Sequence, residues 1–330
     1  MKTKILDTTL RDGSYVIDFQ FDFETTHAIA KKLDEAGFSY IETGHGVGLH
    51  GTASPNMKGK CSDEEWMDAT SSAVTKNKWG MFFIPGIGRM EDIELAAKYK
   101  MDFIRIGANV DMYHKAEPFV KRAKELGMFV CANFMKSYAI GYSEFGKVAG
   151  DAANMGCDLL CIVDSAGAML PEDLEGYVKA IRDNSDAQTG FHGHNNLGLA
   201  NINSIIAYEM GVDVIDTSLR GLGRSAGNTV TEIFLLTLLR KGIDLGYDMY
   251  KIMDISEKYI DPLLKGYVQV DSNSILSGYS KFHSSFTPRL EKYAKLHDVD
   301  LRILMVELCK QTCIDAPEEL IEKIAISLKK

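Results

Sequence analysis

Short apolar runs that alternate with amphipathic stretches are the feature that most restricts what this chain can fold into. The runs are KTKILD (2–7), SYIETG (39–44), WGMFFIP (79–85), DFIRIG (102–107), MFVCANF (128–134), LLCIVD (159–164), TGFHGH (189–194) and VDVIDTS (212–218). Their apolar character is nearly continuous, as parallel strands covered on both faces require. The intervening spacing predicts helices over 24–37, 63–76, 90–100, 116–126, 143–156, 171–184, 198–210 and 228–241. Several end at a glycine that leads into the next strand, as in DEAGF, KELGM, NMGCD and YEMGVD. That is C-terminal cap chemistry followed by an αβ loop. Eight strand–helix repeats predict an α/β fold, a (β/α)8 TIM barrel, over residues 1–244. The rival, a doubly wound open sheet, uses fewer strands and places a glycine fingerprint after the first one, where this chain has none. Residues 245–330 break the rhythm and read as an appended C-terminal helical domain.

Composition narrows the function class. A net charge of −9 argues against a nucleic-acid footprint and against an anionic membrane surface. No run of about 18 apolar residues spans a bilayer, and the first residues lack the apolar core of a secretion signal. The six cysteines, Cys61, Cys131, Cys157, Cys161, Cys309 and Cys313, are scattered. Few cysteines in a long chain predict a cytoplasmic protein with reduced thiols. The four-residue spacing of Cys157/Cys161 and of Cys309/Cys313 suits buried thiols rather than a zinc knuckle.

In a parallel barrel, chemistry sits at the C-terminal ends of the strands. Those ends carry Asp7 with Arg11 and Asp12, Glu42 with His45, Pro85, Arg105, Asn133, Asp164 with Ser165, His192 with His194, and Asp216 with Ser218. His192 and His194 are two residues apart in a strand and so share a face. Two imidazoles on one face suit a divalent metal, the alternative being an exposed pair or satisfied core histidines. Asp12 can complete a two-histidine, one-carboxylate set, because only strand eight separates strands one and seven in a closed barrel. Asn228, in GLGRSAGNTVTE, is either a further neutral oxygen or a helix N-cap. Arg11 is either a cation beside a developing enolate oxygen or half of a structural ion pair. Ser165 is either a donor to a substrate carboxylate or a turn residue. The glycine-rich GHGVGLHGT (44–52) lacks the lysine–serine pattern of a phosphate loop.

DTTLRDG, HGHNN and GLGRSAGNTVTE together resemble the DRE-TIM metallolyases, a group that includes isopropylmalate synthase and hydroxymethylglutaryl-CoA lyase. IETGHGVGL, PGIGRMEDIELA, VDSAGAM, HNNLGLANINSI and GYSKFHSSF narrow the resemblance to the bacterial 4-hydroxy-2-oxovalerate aldolase family, from about residue 3 to nearly the C-terminus. The resemblance implies a class II pyruvate aldolase. Such an enzyme performs divalent-metal-dependent retro-aldol cleavage of a 4-hydroxy-2-oxo acid to pyruvate and an aldehyde, or the reverse addition. It implies Mn²⁺, with Mg²⁺, Co²⁺ or Zn²⁺ also compatible, held by Asp12, His192 and His194. Arg11 would stabilise the pyruvate enolate, Ser165 would lie near the pyruvyl carboxylate, and Tyr279 in SGYSKF would lie at the aldehyde end. The helical C-terminal region would dock an acylating aldehyde dehydrogenase; a stand-alone enzyme and a homo-oligomer are compatible with the same residues.

The chain departs from that family in the aldehyde half. The family's base, a histidine three residues after the metal-binding aspartate, is replaced by Tyr15, and a phenol with a pKa near 10 is a poor base at neutral pH. His283 stands where relatives have an aromatic residue, which makes it a second candidate base. His45 is a third candidate and a possible substrate contact. Val47 replaces an acidic residue of the glycine-rich loop. Two other readings remain at this stage: a Claisen-type acyl-CoA synthase or lyase on the same metal site, and a non-catalytic partner subunit. Retention of the metal triad argues against the latter.

Overall fold

The computed structural model describes residues 3–329. Eight strands form where the apolar runs place them: β1 (Lys4–Asp7), β2 (Tyr40–Thr43), β3 (Lys78–Phe83), β4 (Phe103–Asn109), β5 (Phe129–Met135), β6 (Leu159–Asp164), β7 (Gln188–Gly193) and β8 (Val214–Thr217). They pair in sequence order into a closed parallel barrel, with β1 against β8 from Lys4 opposite Val214 to Asp7 opposite Thr217. The outer ring is α1 (Phe23–Ala36), α2 (Asp63–Ala73), α3 (Met90–Lys98), α4 (Glu117–Glu125), α5 (Tyr142–Met155), α6 (Pro171–Arg182), α7 (Ala200–Glu209) and α8 (Thr231–Arg240). Gly37 ends α1 at φ 91°, a left-handed value that glycine adopts without a Cβ penalty. Just before it, the Asp34 carboxylate accepts the N–H groups of Thr75, Lys76 and Asn77, which fixes the loop into β3.

Strand periodicity explains how the interior changes along the barrel axis. Leu6, Tyr40, Phe103, Cys131, Leu159, Cys161, Val163 and Val214 form an apolar plug inside the ring. Two residues further along, on the same inward face, Tyr40 gives way to Glu42, Phe103 to Arg105, Cys131 to Asn133 and Val214 to Asp216. All four polar side chains are buried. The alternate residues, among them Ile41, Ile104, Ile106, Val130, Leu160, Ile162 and Ile215, face outward and join the apolar layer beneath the helices. An apolar plug therefore supports a charged floor at the C-terminal ends of the strands.

The last helix of the ring begins three residues later than its spacing predicts. Asn228 and Val230 instead form single bridges to His194 and Ser218, and Val230 is the N-cap of α8.

Beyond the ring, α9 (Met249–Ile255) continues as one wide turn, Ser256–Ile260, and buries Ile252, Ile255 and Ile260 with the barrel's outer layer. Helices α10 (Ser272–Ser280), α11 (Thr287–His297), α12 (Leu301–Cys309) and α13 (Glu318–Leu328) enclose a separate core around Phe282, Leu290, Leu304, Leu308 and Ile321. Polar contacts that tie this unit to the barrel include Lys136 Nζ to Ile314 O at 2.7 Å, Arg224 Nη2 to His283 Nε2 at 2.9 Å, and Asn196 Nδ2 to Ser274 O at 2.9 Å. All six cysteines are free; Cys157 and Cys161 are buried, while Cys309 and Cys313 are half-buried, Cys313 Sγ lying 3.4 Å from the Cys309 carbonyl. Among the described residues, no helix is long and apolar enough to cross a membrane.

Candidate metal and substrate site

His192 is the penultimate residue of β7, and His194 follows the strand on the same face, with the rings edge to face at 5.0 Å. Each Nδ1 is occupied from behind. His192 Nδ1 lies 2.9 Å from Asp216 Oδ2, and His194 Nδ1 lies 3.3 Å from the Gly227 carbonyl. A carbonyl only accepts, and the Asp216 carboxylate is ionised: burial raises its pKa, but the Arg105 guanidinium, the His192 hydrogen bond and Arg11 together outweigh that and hold it below the ordinary value. Both Nδ1 atoms therefore carry the proton, and both Nε2 lone pairs are free. A carboxylate or carbonyl behind each imidazole is the support that metal-ligating histidines use. Burial also pushes the His194 pKa down to about 3, so this ring is neutral at neutral pH.

Asp12 arrives from β1, which is separated from β7 only by β8. After β1 the chain turns tightly, the N–H groups of Arg11 and Asp12 both reaching the Thr8 carbonyl at 3.1 and 2.8 Å. Gly13 allows the loop after β8 to lie against this turn, since a Cβ there would meet Leu222 Cδ2 at 2.6 Å. Asp12 Oδ1 accepts from Arg11 Nη1 at 2.6 Å, and Oδ2 accepts the Arg224 N–H at 3.2 Å. Burial would raise its pKa, but Arg11 and the neighbouring cationic groups hold it far below the ordinary carboxylate value.

These groups sit on a buried chain of ion pairs. Arg11 Nε donates to Glu42 Oε2 at 2.8 Å, Arg105 Nη1 donates to the same oxygen at 2.9 Å, and Arg105 Nη2 donates to Asp216. Two guanidiniums thus face three carboxylates, Asp12, Glu42 and Asp216, which leaves the floor one negative charge in excess. One ligand atom from each of Asp12, His192 and His194 lies within 4.8 Å of the others, all three side chains being buried. Asn228, bridged to His194, has a buried Oδ1 with no hydrogen-bond partner. Two free imidazole nitrogens, a carboxylate, an orphaned amide oxygen and an excess of negative charge fit a divalent cation of borderline hardness.

A cavity of about 40 Å³ lies above the floor, lined by Arg11, Asp12, Tyr15, Asn133, Ser165, His192, His194 and Arg224. Ser165 Oγ accepts the Lys136 N–H at 2.9 Å, leaving its own proton to donate into the cavity. Asn133 Oδ1 is buried and unpartnered. Burial pushes the Tyr15 phenol above its ordinary pKa, with Arg224 opposing. Arg11, Asp12, Tyr15, Ser165, His192 and His194 therefore meet in one place, with Asn228 beside His194; the N-cap alternative for Asn228 is removed by Val230. His283 reaches the rim through Arg224. Because a guanidinium only donates, His283 Nε2 is the acceptor.

Two candidates are not brought to the cavity. His45 is fully buried, its Nε2 donating to Met57 O at 2.8 Å and its Nδ1 accepting the Val47 N–H at 3.3 Å, with the ring stacked on Phe19 at 3.9 Å. Both ring nitrogens are used in holding the glycine-rich loop. Tyr279 is on α10 with 71% of its surface exposed and lines neither the small cavity nor the larger one next to it. Sequence reasoning gave no role to Arg224 or Lys136; the only signal for Arg224 was an arginine inside GLGRSAGN.

Comparison with known proteins agrees with this geometry. A family profile described as HMGL-like matches residues 2–258, and one described as a DmpG-like communication domain matches residues 268–330. The 4-hydroxy-2-oxovalerate aldolase of Carboxydothermus hydrogenoformans is 35% identical over 329 residues, covering 100% of this chain and 98% of that protein. That of Moorella thermoacetica is 36% identical, covering 98% and 96%. Among solved structures, the carboxyl transferase domain of Rhizobium etli pyruvate carboxylase superposes with a TM-score of 0.81 at 16% identity, covering 99% of this chain and 61% of that one, a likeness of fold alone. An N-terminal domain from Bacteroides vulgatus superposes with a TM-score of 0.75 at 28% identity, covering 86% and 94%. With its barrel, its appended helical unit and full-length relatives of one name, this chain belongs to the 4-hydroxy-2-oxovalerate aldolase family.

Proposed function

We propose that the protein is a class II pyruvate aldolase, cleaving a 4-hydroxy-2-oxo acid to pyruvate and an aldehyde and catalysing the reverse addition. The observation that supports this most is the meeting of Asp12, His192 and His194 beside an arginine, Arg11, which is itself held by two carboxylates. A divalent ion, Mn²⁺ by family preference, would be held by Asp12, His192 and His194 with Asn228 adjacent, and would supply Lewis-acid polarisation of the 2-oxo group. Arg11, fixed by Glu42 and Asp12, presents a preorganised cation where negative charge develops as the C3–C4 electron pair moves toward the C2 oxygen. The Ser165 hydroxyl donates to the C1 carboxylate. At the C4 end the protonated Tyr15 phenol orients the 4-hydroxyl, and His283 is the buried neutral imidazole on the route of its proton. Protonation of the enolate at C3 releases pyruvate.

The helical unit from α10 to α13 is the docking region for an acylating aldehyde dehydrogenase, a reading supported by the communication-domain match over residues 268–330. The acyl-CoA alternative lacks support from the chain's relatives.

The test is pyruvate release from 4-hydroxy-2-oxopentanoate by metal-stripped protein, with and without added Mn²⁺, beside His194→Ala. We expect metal-dependent release that the substitution reduces by at least ~100-fold, since it removes a ligand outright where loss of a ligand's support alone costs about 10–100-fold. Tight Mn²⁺ binding with no pyruvate from this acid or longer homologues refutes the proposal.

A further inference from the structure

A second cavity, about 440 Å³, opens next to the small one and shares Tyr15 and Arg224 with it. One wall is apolar, with Val16, Val47 and Met57; the other presents Arg224, Ser225, Ser284 and Ser285. Two donors on the polar wall, Arg224 Nε and Ser284 Oγ, have no acceptor. Arg224 Nη2 donates to a neutral acceptor, His283 Nε2, at 2.9 Å, while its Nε is buried with no hydrogen-bond partner. Ser284 Oγ is likewise buried and unpartnered.

Charge balance points the same way. Arg11 and Arg105 each bind two carboxylates. Among the described residues, no carboxylate comes within salt-bridge distance of the Arg224 or Lys136 side chain; Lys136 Nζ has only the Ile314 carbonyl and the face of the Phe286 ring. A dication on the floor would convert its one excess negative charge into one positive, which the C1 carboxylate of a 2-oxo acid balances. Arg224 then stands as a positive charge with no carboxylate paired to its side chain, its guanidinium lying over the Tyr15 ring at 5.5 Å. Its side chain borders both cavities, so it lies between the reacting carbons and whatever extends beyond C4.

We propose that the aldehyde portion of the substrate carries an anionic group, a carboxylate or a phosphate, seated on Arg224 and Ser284 in the second cavity. The inference rests on the aldolase reading and names its substrate class. Buried donors to an anion contribute more than neutral hydrogen bonds, and an arginine suits the planar oxygen pair of a carboxylate or phosphate. Val16, Val47 and Met57 would cover the methylenes between C4 and that group.

The experiment compares pyruvate release, as kcat and KM separately, from three 4-hydroxy-2-oxo acids of matched reach: the neutral heptanoate, the heptanedioate and a 6-phosphooxyhexanoate. It is run on the full chain loaded with Mn²⁺, as wild type, Arg224→Gln and Ser284→Ala. Calorimetric titration with succinate and with inorganic phosphate reads the anion site without turnover. We expect kcat/KM for at least one anionic acid to exceed that for the neutral acid by about tenfold or more, mainly through KM. Arg224→Gln should bring that ratio toward one and abolish the binding heat, and Ser284→Ala should lower the ratio about threefold. The comparison of heptanedioate with phosphooxyhexanoate separates a carboxylate from a phosphate. Equal or better use of the neutral acid by wild type overturns the inference while leaving the aldolase reading standing. So does a loss in Arg224→Gln that is the same for all three acids, or anion binding that the substitution does not change. No pyruvate from any of the three overturns both.

Discussion

At the level of single residues, the site depends on side chains that never touch substrate. Asp216 accepts from His192 and from Arg105, so it sets both the tautomer of one imidazole and the position of a guanidinium. Asp216→Asn is expected to weaken Mn²⁺ affinity by about 10–100-fold, measured by competition with a chelator, even with the ligands intact. Arg105→Met leaves Glu42 and Asp216 buried with less compensation and should cost about 3–5 kcal/mol in urea unfolding. Arg105→Lys should not restore this, because an ammonium is a point charge and the guanidinium spans two carboxylates. The metal-ligand candidates were legible in the sequence, since i, i+2 spacing in a strand fixes a shared face. The roles of Glu42, Arg105 and Asp216 were not: a charged residue inside an apolar run shows that something must compensate it, but not which partner on another strand does so. Arg224 was less legible still, because its position comes from a loop whose path depends on the bridges at Asn228 and Val230.

At the level of elements, the strands were readable because each is apolar on both faces, and the helix ends because glycine terminates them. The shift of α8 was not readable: residues 228–230 have a helical pattern, but their backbone groups are taken by His194 and Ser218, and tertiary pairing overrides the local preference. β1 illustrates how an element end sets a pH response. Asp7 closes the strand, with its carboxylate accepting from Thr9 N at 3.0 Å and Thr9 Oγ1 at 2.9 Å, and burial pushes its pKa up to about 7. A folded-state pKa above the unfolded one gives stability that is present below about pH 4 and lost as pH rises toward 7. Asp7→Asn retains the shape and can donate to Thr9 Oγ1. Its stability relative to wild type should therefore improve across that interval, by at most about 1.4 kcal/mol per pH unit. Urea unfolding at a series of pH values checks the slope; a difference that does not change with pH would show that Asp7 is not the group titrating.

At the level of the whole molecule, two cores, one in the barrel and one among α10 to α13, are joined by few polar contacts. A chain ending at Gly266 is expected to unfold in one cooperative transition and to retain Mn²⁺ binding, while losing any association with an acylating aldehyde dehydrogenase; circular dichroism, metal titration and co-sedimentation check these in turn. The end of the strand–helix rhythm at residue 244 signalled an appended helical region, but not that α9 stays with the barrel core. Nor could the sequence show that Ser284 and Ser285, from the second unit, line the space over a site built by the first. The barrel's closure also has a consequence for how the protein matures. Asp12 leaves the first strand and the two histidines leave the seventh, so about half the chain's length separates them, and only the seam between β1 and β8 brings them within reach of one another. A nascent chain lacking its eighth strand has no three-ligand trap to offer. An ion at this site would therefore be bound only by a finished ring, stabilising it by mass action without templating it, and a misassembled barrel would reveal itself by failing to take up metal.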